Sequence, residues 1–279
     1  MNVLHIAPGT SIGALLHKPP LDPLEARVLL SHALRLSRVQ LITRAEQPLG
    51  EEDARRVAAL FQRRIDGEPI AYLVGEREFF GLMLHTTPEV LIPRPETELL
   101  VELALQYLPQ GGRLLDLGTG SGAIAVAIAH ERPDAQVTAA DTSVAALRVA
   151  ARNAERHAVT VHFIESDWYA AVPDVAFDVI VSNPPYIVSG DPHLSQGDLR
   201  HEPIDALTDH GDGLGALRRI VAGAPARLLP RGWLLMEHGY DQAAAVRAML
   251  AADGFSRVQS WRDLAGIERV TGGVFDQRG

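Results

Sequence analysis

The sequence predicts an α/β protein preceded by a helical segment, and three observations carry the prediction. Beyond residue 93, short apolar runs alternate with helical stretches, the pattern of a mostly parallel sheet covered on both faces. A strand–glycine–helix junction at Leu114–Ala123 and an Asn-Pro-Pro-Tyr tetrapeptide at Asn183–Tyr186 both follow apolar runs. Such strand ends are where open α/β sheets bind ligands. The N-terminal quarter of the chain, in contrast, shows helical periodicity alone.

The segment Asp22 to Leu36 sets Leu24, Val28, Leu29, Ala33 and Leu36 at helical spacing, with Asp22 as N-cap and Pro23 at the first helical position. Glu51 to Ile65 repeats the pattern with Val57, Leu60, Phe61 and Ile65. Together they read as a small helical bundle spanning 1–75. Residues 76–92 mix Phe79, Phe80, Leu82, Leu84 and Val90 with Gly81 and Pro88, which reads as a β-hairpin linker. The run Ile92-Pro93-Arg94-Pro95-Glu96-Thr97-Glu98 then opens a helix through Leu108 and a domain over 93–279.

In that domain the expected strands are Arg113–Leu117, Gln136–Asp141, Val161–Ser166, Phe177–Ser182, Gly232–Glu237, Phe255–Trp261 and Arg269–Phe275. Helices are expected at Ala123–Glu131, Val144–His157, Leu214–Leu229 and Gln242–Asp253. The stretch Ile187 to Asp212 has no clear periodicity; so long a loop in a compact domain is usually functional or mobile.

Composition removes several function classes. The chain has 279 residues and no cysteine, so disulfides, thiolate metal sites and cysteine nucleophiles are excluded, and a reducing compartment fits. The formal charge of −9 argues against a broad phosphate-binding surface. Met1-Asn2-Val3-Leu4-His5 lacks the features of a signal peptide. No apolar run approaches the ~20 residues that span a bilayer, so no membrane association is expected.

The tetrapeptide Asn183-Pro184-Pro185-Tyr186 is the most informative stretch. Pro185 forces Pro184 into an extended conformation, and neither proline has an N–H. The carbonyls are left to point elsewhere beside the Asn183 amide, with an aromatic face alongside. Such an acceptor-rich ledge suits a planar –NH2 group; taken alone, a Pro-rich turn is an equal reading. The glycine loop Asp116-Leu117-Gly118-Thr119-Gly120-Ser121-Gly122-Ala123 satisfies the loose dinucleotide pattern, so NAD enters consideration. Two features favour S-adenosylmethionine. Asp116 closes the strand before the first glycine, where it would repel a diphosphate and attract a cationic amino-acid head, and glycines recur at every second position. A structural turn is the alternative. Asp141 closes the next strand, where an acidic side chain takes ribose hydroxyls, or else it caps the following helix with Thr142 and Ser143. Asp167 and Trp168 end the third strand, with adenine recognition and core packing as their two readings.

With these residues in view, the chain resembles the protein-(glutamine-N5) methyltransferases that modify class I peptide chain release factors. The resemblance runs through Gly67–Leu73, Arg77–Gly81, Ile92–Glu98, Asp116–Ala123, Ser166–Trp168, Ser182–Tyr186, Glu237–Tyr240 and Glu268–Thr271. It implies a Rossmann-like, seven-stranded class I methyltransferase domain behind an N-terminal helical substrate-recognition domain and a hairpin linker. It implies that Gly118, Thr119, Gly120, Ser121 and Gly122 contact the methionine end of S-adenosylmethionine, Asp141 the ribose, and Asp167 and Trp168 the adenine region. Asn183 would touch both cofactor and substrate, and Asn183, Pro184, Pro185 and Tyr186 would hold the glutamine of a Gly-Gly-Gln motif. A cytoplasmic enzyme acting on a release factor is thus expected, with no stable nucleic-acid partner.

Chemistry falls on the nucleophile, because an amide nitrogen is weak. Two acceptors, the Asn183 side-chain oxygen and the Pro184 carbonyl, would aim it and stabilise positive charge as it develops, while Tyr186 packs on the amide plane. No general base is required, and His193, His201 and His210 read as solvated loop histidines. Two rivals remain at this point. One is a nucleic-acid adenine-N6 methyltransferase using the same ledge on a flipped base. The other is a non-catalytic S-adenosylmethionine-binding module, which would not need the ledge. Residues 93–279 hold more acids than bases, against the first, although Arg55, Arg56, Arg63 and Arg64 cluster on one helix.

Overall fold

A computed structural model describes residues 4–276; Met1 to Val3, on which the signal-peptide expectation partly rests, and residues 277–279 lie outside the described residues. The chain forms two compact units, Met1–Gly75 with Gly197–His201, and Glu76–Gln196 with Glu202–Gly279.

The smaller unit holds α1 (Ile12–His17), α2 (Pro23–Leu34), α3 (Arg38–Thr43), α4 (Glu51–Ile65) and α5 (Ile70–Val74). Asp22 caps α2, its carboxylate accepting from Leu24 N at 2.8 Å. Ser37 and Gln40 form a reciprocal capping box on α3. Leu29 and Leu30 of α2 meet Val57 and Phe61 of α4 in a closed core. Leu24 and Ile65, expected on the buried stripes, are exposed, because each sits at a helix end where the stripe runs past the core. Helices α1, α3 and α5 were not expected; each has six residues or fewer, too few to display a 3.6-residue repeat.

The larger unit begins with β1 (Glu76–Phe79) and β2 (Leu82–His85), an antiparallel hairpin. Phe80 and Gly81 both take positive φ, 51° and 76°, the signature of a two-residue primed turn. After a 3₁₀ turn at Pro95–Thr97 comes α6 (Glu98–Tyr107). Then β3 (Arg113–Leu117), α7 (Ala123–Glu131), β4 (Gln136–Asp141), α8 (Val144–Arg156), β5 (His162–Glu165) and β6 (Phe177–Ser182) alternate. The chain ends in α9 (Gly215–Gly223), β7 (Leu228–Glu237), α10 (Ala243–Ala252), β8 (Phe255–Arg262) and β9 (Glu268–Phe275).

The seven-stranded sheet has the order β5-β4-β3-β6-β7-β9-β8. β9 runs antiparallel to both its neighbours and the other pairs are parallel. This is the Rossmann-like methyltransferase arrangement expected from the sequence. Alternation along the strands feeds two cores. Leu114, Val179 and Val181 face α6 and α7; Leu115, Leu117, Ile180 and Leu234 face α9 and α10. Helix α9 stops at Gly223, short of the expected Leu229, because Pro225 lies in the next turn and lacks the N–H to continue. The loop after β6 carries three 3₁₀ turns and returns to itself through an Ile187–Thr208 bridge.

Strand order reverses between β3 and β6, which opens a crevice at their C-terminal ends. No helix among the described residues is long and apolar enough to cross a membrane.

Candidate active site

A cavity of about 360 Å³ lies at that crevice, within the size range of small-molecule sites. Gly118 and Gly120 after β3, Asp141 after β4, Ser166, Asp167 and Trp168 after β5, and Asn183 and Pro185 after β6 line it. Four strand ends thus bring together the residues the sequence separates by up to 67 positions.

The glycine loop turns sharply under β4: the N–H groups of Gly118 and Thr119 both donate to the Ala140 carbonyl, at 2.8 and 3.0 Å. Gly118 has φ +72°, and a Cβ there would touch the Trp168 ring at 3.6 Å. Glycine therefore serves both the turn and the open space in front of the ring. Thr119 and Ser121 are buried behind the loop rather than in the cavity wall. Gly122 also stands outside the wall; a Cβ there would meet Ala150 Cβ at 2.9 Å, so this glycine lets α7 pack against α8.

Asp116 departs from expectation in a similar way. It is fully buried beneath the loop and does not line the cavity. Its Oδ2 accepts from the Thr119 hydroxyl at 2.6 Å, and Oδ1 has no partner among the described residues. Burial pushes its pKa up to about 7, and the nearby charge of Asp141 pushes the same way. Its place is that of a strut for the loop.

Asp141 faces the cavity with both oxygens engaged from the protein side, Oδ2 by Gly120 N and Oδ1 by Ser143 N, each at 2.8 Å. Each carboxylate oxygen has a further lone pair. Burial raises its pKa, against the pull of those N–H groups. Ser143, not Asp141, caps α8 through its hydroxyl.

Trp168 has φ +52°, an uncommon conformation for an aromatic residue that costs about 1–3 kcal/mol. Ser166 holds it there: its hydroxyl donates to the Trp168 carbonyl at 2.8 Å and accepts from Ala171 N at 2.9 Å. Asp167 is half exposed, and Arg219 donates to its Oδ2 at 2.6 Å.

At the ledge, Asn183 donates through Nδ2 to the Thr97 hydroxyl at 3.1 Å. Pro185 lines the cavity, whereas Pro184 and Tyr186 do not. The Tyr186 phenol donates to Glu237 Oε1 at 3.3 Å, and burial pushes its pKa up. The Gln242 amide fixes the end of the ledge by donating to the carbonyls of Tyr186 and Gly213, at 3.0 and 3.2 Å. Glu237 is fully buried at the end of β7; burial pushes its pKa up to about 7, while the Thr97 and Tyr186 hydroxyls and Arg269 pull it down.

Several wall residues carry no recognisable signal in the sequence. Val90, Leu91, Pro203, Asp205 and Ala206 complete the cavity. Glu202, with its side chain fully enclosed, holds that part together: its carboxylate pairs with Arg94 and accepts from Ile92 N at 3.0 Å. Arg94 and Glu202 are 108 positions apart, and the loop containing Glu202 lacks periodicity, so only the fold connects them. Asn153 is a second such residue, accepting from His85 N at 2.6 Å and donating to the carbonyls of His85 and Ser121 at 3.0 and 2.9 Å. The three loop histidines stay out of the wall. His193 bonds Asp191 and His210 bonds Asp205, each at 2.7 Å, and His201 bonds Arg200 at 3.1 Å.

Residues 95–212 match the family described as the methyltransferase small domain, and residues 13–75 match the PrmC N-terminal domain. The release factor glutamine methyltransferase of Burkholderia pseudomallei (strain K96243) is 58% identical over 282 residues, covering 98% of this chain and 99% of that protein. The release factor glutamine methyltransferase of Escherichia coli (strain K12) is 45% identical over 255 residues, covering 91% and 92%. Among solved structures, the T. thermophilus 16S rRNA N2 G1207 methyltransferase in complex with AdoMet and guanosine shares the fold, with a TM-score of 0.54 and 22% identity over 71% of this chain and 49% of that one.

Proposed function

The chain belongs to the release factor glutamine methyltransferase family, and from that membership we propose that it methylates the side-chain amide nitrogen (N5) of the glutamine in the Gly-Gly-Gln motif of class I peptide chain release factors, using S-adenosylmethionine. The single observation that carries the reading is the orientation of Asn183. Its Nδ2 is committed to Thr97, which leaves Oδ1 of a residue that lines the cavity with its acceptor capacity free for a substrate N–H.

The residues present fit the cofactor. Asp141 retains acceptor capacity for two ribose hydroxyls, the Trp168 ring faces the glycine loop across the space left by Gly118, and Asp167 keeps Oδ1 for an amino group. Of the loop residues expected to contact the cofactor, Gly118 and Gly120 line the cavity, and Thr119, Ser121 and Gly122 stand directly behind them. Bound there, S-adenosylmethionine supplies an electrophilic methyl group. The protein's task is to aim a weak nucleophile. Asn183 Oδ1, in the cavity wall, and the Pro184 carbonyl, beside the cavity rather than in its wall, each accept one N–H of the substrate carboxamide, fix its nitrogen and stabilise the charge it gains. Tyr186 contributes from behind, through packing and its bond to Glu237. The proton leaves after transfer, when the nitrogen is cationic and acidic, so no base is needed in the wall.

Residues 1–75 are read as the part that recognises the release factor. Their arginine cluster gives no support to a phosphate-binding surface, since each member has an acidic partner: Arg55 with Glu51, Arg56 with Glu52, Arg63 with Glu68 and Arg64 with Glu25. A cytoplasmic location accords with the absence of cysteine.

The test is incubation with methyl-labelled S-adenosylmethionine and either a class I release factor or duplex DNA. Label on the Gly-Gly-Gln glutamine is expected. Label in DNA adenine, or cofactor binding without transfer to either, would overturn the reading.

A further inference from the structure

We propose that Tyr240 is a substrate-contacting residue, whose ring packs on the polypeptide main chain beside the target glutamine. The inference rests on the substrate reading given above and adds to it a contact outside the ledge and outside residues 1–75.

Placement follows from the sheet. β6 and β7 are parallel neighbours with Ser182 opposite Met236, so Asn183 and Glu237 stand level at the strand ends. The chain after β7 is therefore the first segment reached on that side of the ledge. It does not trail into solvent. Gly239 to Gln242 form a β-turn, with Gln242 N donating to the Gly239 carbonyl at 3.0 Å. The Gln242 side chain closes the turn a second time, its Oε1 accepting from Gly239 N at 2.8 Å. Its Nε2 is the end that grips the Tyr186 and Gly213 carbonyls. Behind the turn, the nitrogens of the buried His238 ring lie 2.8 and 2.7 Å from the Gly239 carbonyl and the Thr271 hydroxyl. Two glycines keep this clasp clear of side chains. A Cβ on Gly213 would strike the Tyr186 carbonyl oxygen, and one on Gly239 would meet Gln242 Oε1 at 3.0 Å.

His238, Gly239 and Gln242 are buried, yet Tyr240 at the tip of the turn is 72% exposed. Among the described residues its ring makes no aromatic contact and its phenol no hydrogen bond. It is also absent from the wall of the cofactor cavity. Neither the core nor the cofactor site uses this ring, although buried hydrogen bonds hold its turn against the ledge. A tyrosine offers an apolar face and a polar edge, the combination that protein interfaces favour. Because the turn is already fixed, little freedom is lost on contact. Glycine has no Cβ, so the peptide planes of a Gly-Gly-Gln segment are bare where they flank the glutamine, and a flat ring can lie on them. Leu264 supplies the contrast. It is fully exposed on the turn 263–267, which is braced by Asp263 accepting from Ala265 N and Ile267 N at 2.9 Å each. That turn joins β8 to β9, on the far side of β7 from the ledge.

The test compares Tyr240→Ala, Tyr240→Phe and Leu264→Ala with the wild-type protein in methyl transfer to a class I release factor. Y240A is expected to raise KM for the release factor about ten- to thirtyfold, the effect of truncating an aromatic anchor at an interface. Its kcat at saturating release factor and its affinity for S-adenosylmethionine should stay close to wild type, because the contact is made equally in ground and transition states. Y240F keeps the ring and should keep KM within a few-fold of wild type, and L264A should leave it unchanged. The urea midpoint of Y240A should match that of wild type, since the ring supports nothing in the fold. An activity-independent readout uses protein carrying fluorotyrosine. The Tyr240 fluorine signal, identified by its loss in Y240F, should shift when release factor is added. Label in DNA instead of the release factor removes the substrate assignment and the inference with it. Methylation of the release factor by wild type keeps the assignment, and the inference alone then falls on any of four results: an unchanged KM in Y240A, a lower kcat in place of a higher KM, an equal rise in L264A, or an unmoved fluorine signal.

Discussion

Replacing Glu202 with alanine removes the clasp that holds one wall of the cavity. The Glu202 side chain is fully enclosed, while the Arg94 side chain keeps 31% of its exposure. Truncation therefore leaves an arginine that water can still reach and an Ile92 N–H that has lost its acceptor. The orphaned N–H alone costs about 1–3 kcal/mol, and breaking a buried pair costs about 3–5 kcal/mol. Hydration of Arg94 reduces the second figure, so about 2–4 kcal/mol is expected for E202A. The reverse change, Arg94→Ala, strands a charge that water cannot reach and should cost as much or more, about 3–5 kcal/mol. The two losses should not add, since each variant already breaks the same contact; a coupling of about 0.5–3 kcal/mol is expected between neighbours of this kind. Urea unfolding followed by tryptophan fluorescence measures all three variants. Trp168, Trp233 and Trp261 are the chain's only tryptophans and all lie in the larger unit, so the signal reports the unit that contains the clasp. A loss below about 0.5 kcal/mol for E202A, or strict additivity in the double variant, would refute the reasoning.

Two further predictions use the same unfolding assay. Asn153→Ala deletes three hydrogen bonds from a fully buried position and should cost about 2–4 kcal/mol, given about 1–3 for each buried group left unsatisfied; calorimetry should also show weaker cofactor binding, because Ser121 belongs to the glycine loop, and a stability loss under about 1 kcal/mol would contradict this. Asp116 has a folded-state pKa of about 7, above its ordinary value of 3.8, so the native state holds a proton that the unfolded chain releases between those values. The resulting stabilisation is complete below about pH 4 and lost by about pH 7, with Glu237 acting in the same sense. Asp116→Asn removes the titration, so its stability relative to wild type should rise between pH 5 and pH 8, by up to about 1.4 kcal/mol for each pH unit below 7; a difference that does not vary with pH would contradict the assignment.

The parts of the fold with long, regular patterns were legible in the chain. β3, β4 and β6 carry the expected bounds, as do α4 and α7, because each combines a clear period with a turn or cap signal. The short helices α1, α3 and α5 lack a full repeat, and the apolar pattern that suggests a longer α9 continues past Pro225, where the helix cannot. The cavity wall divides along similar lines. Gly118, Gly120, Asp141, Trp168 and Asn183 were legible because each stands next to a strand end, where the sheet must deliver it to the crevice. Whether a neighbour faces the cavity or the core is decided by one step of backbone rotation. That is why Thr119, Ser121 and Tyr186 turned inward and Asp116 became a strut. Glu202, Asn153 and the pairing of Thr97 with Asn183 are contacts between segments 32 to 110 positions apart. Nothing local marks such pairs, and they become visible only when the sheet order is known.

The Asn183 side-chain oxygen, as one of the two acceptors that aim the substrate amide, is the group on which methyl transfer should depend most. Single-turnover methyl transfer to the release factor, measured beside cofactor affinity for Asn183→Ala, tests this directly. A preorganised polar contact of this kind is worth about 2.7–4 kcal/mol, so transfer should slow by about a hundredfold or more while the dissociation constant for S-adenosylmethionine changes far less. Transfer at the wild-type rate, or a loss of cofactor binding large enough to explain the whole decline, would contradict it.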